Sequence, residues 1–179
     1  MIEEKALCAA MKDAWKGAGY EVFASGDTLV IRTNRLGVEM LRRNASRKVL
    51  AFLVVHLGEI PDGAAYVVRK KDGAQQMMLD VAMDNWDGMR NRVEGAERRI
   101  LRRTNMDWKN RGVWQEDDTG IVYTVDKDLT DIILAEPDGI EIADGLMVCD
   151  DGGGLVVIRP EDGVMGEAVR NLLEQVSLA

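Results

Sequence analysis

The chain has 179 residues, 46% of them hydrophobic and 30% charged, with a formal net charge of -8. This is the balance of a globular protein long enough to bury a sizeable core, and it excludes general disorder and a nucleic-acid module that is basic throughout. No apolar run approaches the ~18 residues of a membrane span; the longest, Val49 to Leu57, contains His56. The start, MIEEKALCAAMKDAW, is acidic and amphipathic and does not read as a signal or transit peptide. Cys8 and Cys149 show no framework spacing and sit in apolar contexts, so reduced thiols and a cytoplasmic location are expected.

In chain order, residues 2–16 read as a helix, because Leu7, Met11 and Trp15 recur every fourth residue before Gly17 and Gly19. YEVFASGDTLVIRT reads as a hairpin around Ser25-Gly26-Asp27, and Leu36 to Leu41 as a further strand. VLAFLVVHLG suits either a helix capped by Asn44 or Ser46 and ended by Gly58, or a buried strand; the Leu, Ala and Phe content favours the helix. AAYVVRKKDGAQQMMLDVAM suggests two strands about Lys71-Asp72-Gly73. Asp84 or Asn85 then caps an expected long helix over about 86–104. VWQEDDTGIVYTV reads as a hairpin, DLTDIILA as a short helix before Pro137, GIEIADGLMVCDDGGGLVVIRP as three short strands, and Glu161 to Val176 as a closing amphipathic helix. The fold class is therefore α+β, with antiparallel hairpins or meanders and amphipathic helices packed against them. One compact domain over 1–179 is expected; a division would fall near Asn105–Gly112, giving parts 1–108 and 109–179.

Charge is polarised along the chain. Residues 1–89 are neutral, 90–111 carry +5, and 112–179 carry -13. On a helical projection Arg92, Arg98, Arg99, Arg102 and Arg103 fall within an arc of roughly 140°, beside a face of Met89, Val93, Ala96 and Ile100. Three uses of such a basic face compete. It could bind phosphates, with Trp108 and Trp114 as stacking surfaces. It could pair with the acidic C-terminal part, or it could dock an acidic protein, for which Arg and Trp are favoured anchors. The acidic balance argues against nucleic acid.

Catalytic signals are sparse. His56 is the sole histidine and lies in an apolar run; Ser25, Ser46 and Ser177 lack a nucleophile-elbow context. Cys8 has no clear cation to activate it, and two distant cysteines with one histidine cannot close a zinc site. An EF-hand reading of Asn85, Asp87, Gly88 and Glu94 fails because Met83 would stand at the first ligand position. IVYTVDKDLTD resembles the first motif of haloacid dehalogenase-type phosphatases. That resemblance implies Asp126 as nucleophile and Asp128 as general acid/base near Mg²⁺, in a parallel sheet with helical crossovers. Only 49 residues follow Thr130, no lysine follows Lys127, and the simpler use of Asp126 or Asp128 is to cap the next helix.

The reading these observations favour is a non-catalytic macromolecule-binding protein, chaperone-like or an inhibitor or adaptor, with no cofactor and no metal. Its expected surfaces are the acidic turns at Asp117, Asp118, Asp150 and Asp151 and the basic face of Arg92, Arg98, Arg99, Arg102, Arg103 and Trp108. Its expected partner is a protein, with a homodimer as a further arrangement. The alternatives are a Mg-dependent phosphoryl hydrolase through DKDLT, and nucleic-acid binding through the arginines.

Overall fold

A computed structural model describes residues 2–133, 139–150, 152–161 and 167–175. The chain begins with α1 (Glu4–Lys16), which starts where the Glu3 carboxylate accepts from the Ala6 amide at 2.6 Å and stops at Gly17. A three-stranded meander follows: β1 (Tyr20–Ser25), β2 (Thr28–Arg32) and β3 (Leu36–Leu41). The two-residue β1–β2 turn works because Gly26, at φ 58°, accepts the left-handed conformation. Next comes α2 (Arg47–Leu57), so the ambiguous apolar run is a helix. The Ser46 hydroxyl caps it by accepting from the Val49 amide, and Gly58 ends it at φ 82°. β4 (Ala64–Arg69) and β5 (Gly73–Met77) form the expected second hairpin.

From there the structure departs from expectation. α3 spans Leu79–Gly95, earlier than the predicted 86–104, and Ala96 turns to extended backbone at ψ 153°. Arg99–Trp108 is a strand, β6, so the basic helix face of Arg98, Arg99, Arg102 and Arg103 does not exist. The cause is tertiary. Arginine has good helix propensity, and the Val93, Ala96, Ile100 spacing fits a helix, but β6 gains ladders to two neighbouring strands. Leu101 and Thr104 are then buried, a pattern the helical projection could not show. The stretch Asn105–Gly112 is the tip of the hairpin between β6 and β7 (Arg111–Glu116); Lys109 and Asn110 take φ 47° and 66° there.

β8 (Val122–Asp126) and the single turn α4 (Lys127–Thr130) follow, then β9 (Glu141–Ala143), β10 (Leu146–Asp150), β11 (Gly154–Ile158) and α5 (Glu167–Leu173). The expected short helix around Leu129 is confined to α4 and the turn after it; residues 134–138 lie outside the described residues, as do Asp151, 162–166 and 176–179. All eleven strands join one antiparallel sheet in the order β5-β4-β1-β2-β3-β11-β10-β9-β6-β7-β8. The protein is α+β.

Strand alternation divides the core by face. Tyr20, Val22, Leu29, Ile31, Val38, Met147 and Val156 meet Leu7 and Met11 of α1 and Val49 and Leu53 of α2. Phe23, Val30, Val148, Leu155 and Val157 point the other way and meet Ala82, Trp86 and Val93 of α3. Gly37 of β3 is where Trp86 lies down: a Cβ there would come within 2.5 Å of the indole. Leu101, Trp114 and Val125 of β6–β8 join the α1/α2 side, and Asp126 at the end of β8 meets Arg35 of the β2–β3 turn at 3.4 Å. The last three strands thus fold back toward the middle of the sheet.

Candidate functional site

The arginines come first because their geometry decides what their charge can do. On β6, Arg103 stands opposite Trp114 of β7, its guanidinium 6.0 Å from the indole centroid, and it reaches Asp107 at 2.5 Å. Arg102 meets Asp117 at 2.7 Å. Arg99 holds Glu97 at 2.8 Å and the buried Glu116 at 3.5 Å. Arg98 meets Glu141 at 3.1 Å, and Arg92, on α3 and not on β6, meets Asp144 at 2.5 Å. Four of these carboxylates, Glu116, Asp117, Glu141 and Asp144, belong to the acidic segment 112–179. Trp108 packs with Val113, Val122, Val169 and Leu173 under α5, where it is half-buried.

Burial sets the behaviour of one acid in this network and hydrogen bonding that of another. Glu116 is 2% exposed, and desolvation raises its carboxyl above the usual range despite Arg99. Asp107 is exposed, and hydrogen bonds first from Lys127 and then from Arg103 hold its carboxyl below the usual range.

The acidic turns do not converge. Asp117 and Asp118 lie between β7 and β8; Asp150 ends β10, where its carboxylate accepts from the Gly152 amide at 3.0 Å. β9 and β6 separate the two hairpins in the strand order. Among the described residues no group of three Asp, Glu, His or Cys side chains could hold a metal ion.

Asp126 and Asp128 line a groove of about 610 Å³ between α1, the β2–β3 turn and α4. The Asp126 carboxylate accepts from the Asp128 amide at 3.2 Å, capping α4, and also faces Arg35. Among the described residues the strand paired with β8 is β7, antiparallel, and not the parallel neighbour that the dehalogenase resemblance implies. Lysines 5, 12 and 16 and Asp131 border the groove over an alanine floor from α1.

His56 and Cys8 are separate. His56 Nδ1 and the Tyr20 hydroxyl share a hydrogen bond of 2.8 Å, the imidazole ring stacks on Trp15 at 5.1 Å, and Phe52 meets it edge-on at 4.2 Å. Burial lowers the imidazole pKa and raises those of the Cys8 thiol and the Tyr20 phenol. Both cysteines are buried.

No protein-family model matches the chain, and no curated protein matches it closely enough to count as a relative. The geometry therefore has to be read alone.

One feature of that geometry has no counterpart among the residues singled out in the sequence: the β5 edge. Gly73, Ala74, Gln75 and Gln76 are exposed and uncharged, and only β4 pairs with them among the described residues. Met78, at 70% exposure, directly follows it, and Val54, Val55 and Val81 are exposed on α2 and α3, of which α2 contacts β5. The other edge is closed. Thr124 of β8 exchanges hydrogen bonds with the Glu161 backbone, the Val122 amide donates to Glu174, and α5 packs alongside. GAQQMM is an uncharged stretch in a charge-rich chain, a signal the sequence does carry. That it lies at an edge is known only from the strand order. No helix among the described residues is long and apolar enough to cross a membrane.

Proposed function

We propose that the protein is a non-catalytic, chaperone- or adaptor-like binding module that takes an extended segment of a partner polypeptide as an added strand on β5. The observation that carries this reading is the bare β5 edge. Sheet edges are ordinarily guarded by charge, proline, bulges or a covering element, and β5 has an uncharged stretch with exposed apolar side chains nearby. Backbone pairing along such an edge supplies affinity, while flanking apolar contacts supply selectivity. The arginines weigh against nucleic acid, since Arg92, Arg98, Arg99, Arg102 and Arg103 each already face a carboxylate.

The test is selection from a displayed library of random peptides. A selected peptide is expected to slow hydrogen exchange at Ala74 and Gln76, whose amides face away from β4 in the ladder register, and Gln76→Pro is expected to abolish binding while thermal unfolding stays close to that of the parent. Peptides that bind the Gln76→Pro protein equally well refute the edge. If sedimentation instead shows a dimer whose β5 amides are protected, the occupant is a second copy and the partner-peptide reading fails.

A further inference from the structure

A smaller cavity, of about 270 Å³, lies where the β2–β3 turn, the end of β11 and α3 meet. Its polar rim is formed by Arg32, Arg35 and Arg159, and its apolar side by Met89, Leu146 and Val157. No acidic side chain lines it among the described residues. We propose that this cavity binds a singly charged carboxylate that carries an apolar group.

The charge balance sets the valence. Arg32 faces Glu21 at 3.3 Å, and Arg35 faces Glu161 at 2.5 Å and Asp126 at 3.4 Å. Arg159 is exposed and has no carboxylate partner among the described residues; its backbone amide, donating to the Arg35 carbonyl at 2.9 Å, fixes it beside the turn. Arg111 shares Glu161 with Arg35, so four guanidinium groups face three carboxylates among the described residues and leave about one uncompensated positive charge, which matches a monoanion and under-serves a phosphate dianion.

Donor capacity points the same way. Nη1 of Arg32 and Nε and Nη2 of Arg35 are buried and have no hydrogen-bond acceptor among the described residues. The ion pair of Arg32 with Glu21 is close without being aligned as a hydrogen bond. Unmatched buried donors are costly, and a planar carboxylate is the natural complement of a guanidinium fork. The apolar side of the cavity adds a preference for a carboxylate with a hydrocarbon body. Two sources share this chemistry, a free short-chain acid and the C-terminal carboxylate of a peptide ending in an apolar residue.

Titration of the ¹⁵N-labelled protein separates them, with octanoate for the first source and N-acetyl-leucine for the second. Octanol and inorganic phosphate serve as controls. Saturable shifts at the Gly37, Leu146 and Val157 amides are expected with at least one of the two carboxylates and with neither control. Arg159→Gln, at an exposed position, should weaken binding by about tenfold or more with an otherwise unchanged spectrum. Met89→Glu, which adds a negative charge to the apolar side, should abolish it. Equal shifts from octanol, no saturation with either carboxylate, or full affinity in Arg159→Gln would each overturn the proposal. None of these readouts involves β5, so the outcome is independent of the strand-addition reading.

Discussion

The two ends of the strand order are held together by different forces. β1 to β5 lie between two apolar layers, α1 and α2 on one face and α3 on the other. β6 to β8 gain part of the same core through Leu101, Trp114 and Val125, yet their characteristic contacts are charge pairs: Arg98 with Glu141, Arg99 with Glu116 and Arg102 with Asp117. Apolar burial is indifferent to salt at these concentrations, whereas half-exposed ion pairs are screened. The charge polarity of the chain is thus used internally, with the basic segment strapped to the acidic one beside it.

The sharpest way to break this contrast is Trp86→Ala. It removes the side chain that seats α3 on Gly37 and donates to Glu39 at 2.5 Å, and about 3–5 kcal/mol of stability should be lost in urea unfolding. Leu173→Ala attacks the cover of the other edge. Because Leu173 is only partly buried against Val113 and Val122, a loss of about 1–2 kcal/mol is expected, below the full core range, with faster hydrogen exchange at Val122 and Thr124.

A pH effect should come from the β1 side. Burial depresses the folded pKa of His56, so its contribution to stability is fully present above the unfolded value of about 6.5 and is lost as pH falls through the folded value. Protonation also makes both ring nitrogens donors, so that the Tyr20 hydroxyl can then only accept from Nδ1. The protein should be less stable at pH 5 than at pH 7.5, and His56→Gln should remove that part of the difference in paired denaturation curves. The smallest effect belongs to Arg102→Ala. Its pair with Asp117 is partly exposed, so less than about 1 kcal/mol should be lost, and the loss should shrink in high salt. A large, salt-insensitive loss would erase the distinction between the two regions.

Local signals were legible wherever one residue controls one conformation. Gly26, Gly58 and Ser46 mark a turn, a helix end and a cap, and each does so in the structure. The continuous apolar runs LVVI and LMVC likewise anticipate strands with buried side chains on both faces. Helical spacing and strand alternation both fit the short apolar pattern of the arginine segment, and the energy that chooses comes from its pairing with β7 and with the sequence-distant β9. For the candidate sites, the residues are visible in the sequence but their relations are not. Nothing in GAQQMM says that it is an edge, and nothing local brings Arg159 to Arg32 and Arg35 across more than a hundred residues.

By itself, then, the amino-acid sequence determined the α+β class, the element types outside 78–108, and the polarity of charge, because these follow from periodicity, turn chemistry and composition. The tertiary structure alone decided that Arg99–Trp108 is a strand, that its arginines face carboxylates, and that β5 is left bare while β8 is covered. The physical reason is that strand pairing is a long-range choice. A ladder's hydrogen bonds and an ion pair's partner come from other parts of the chain, and only the fold brings them within reach.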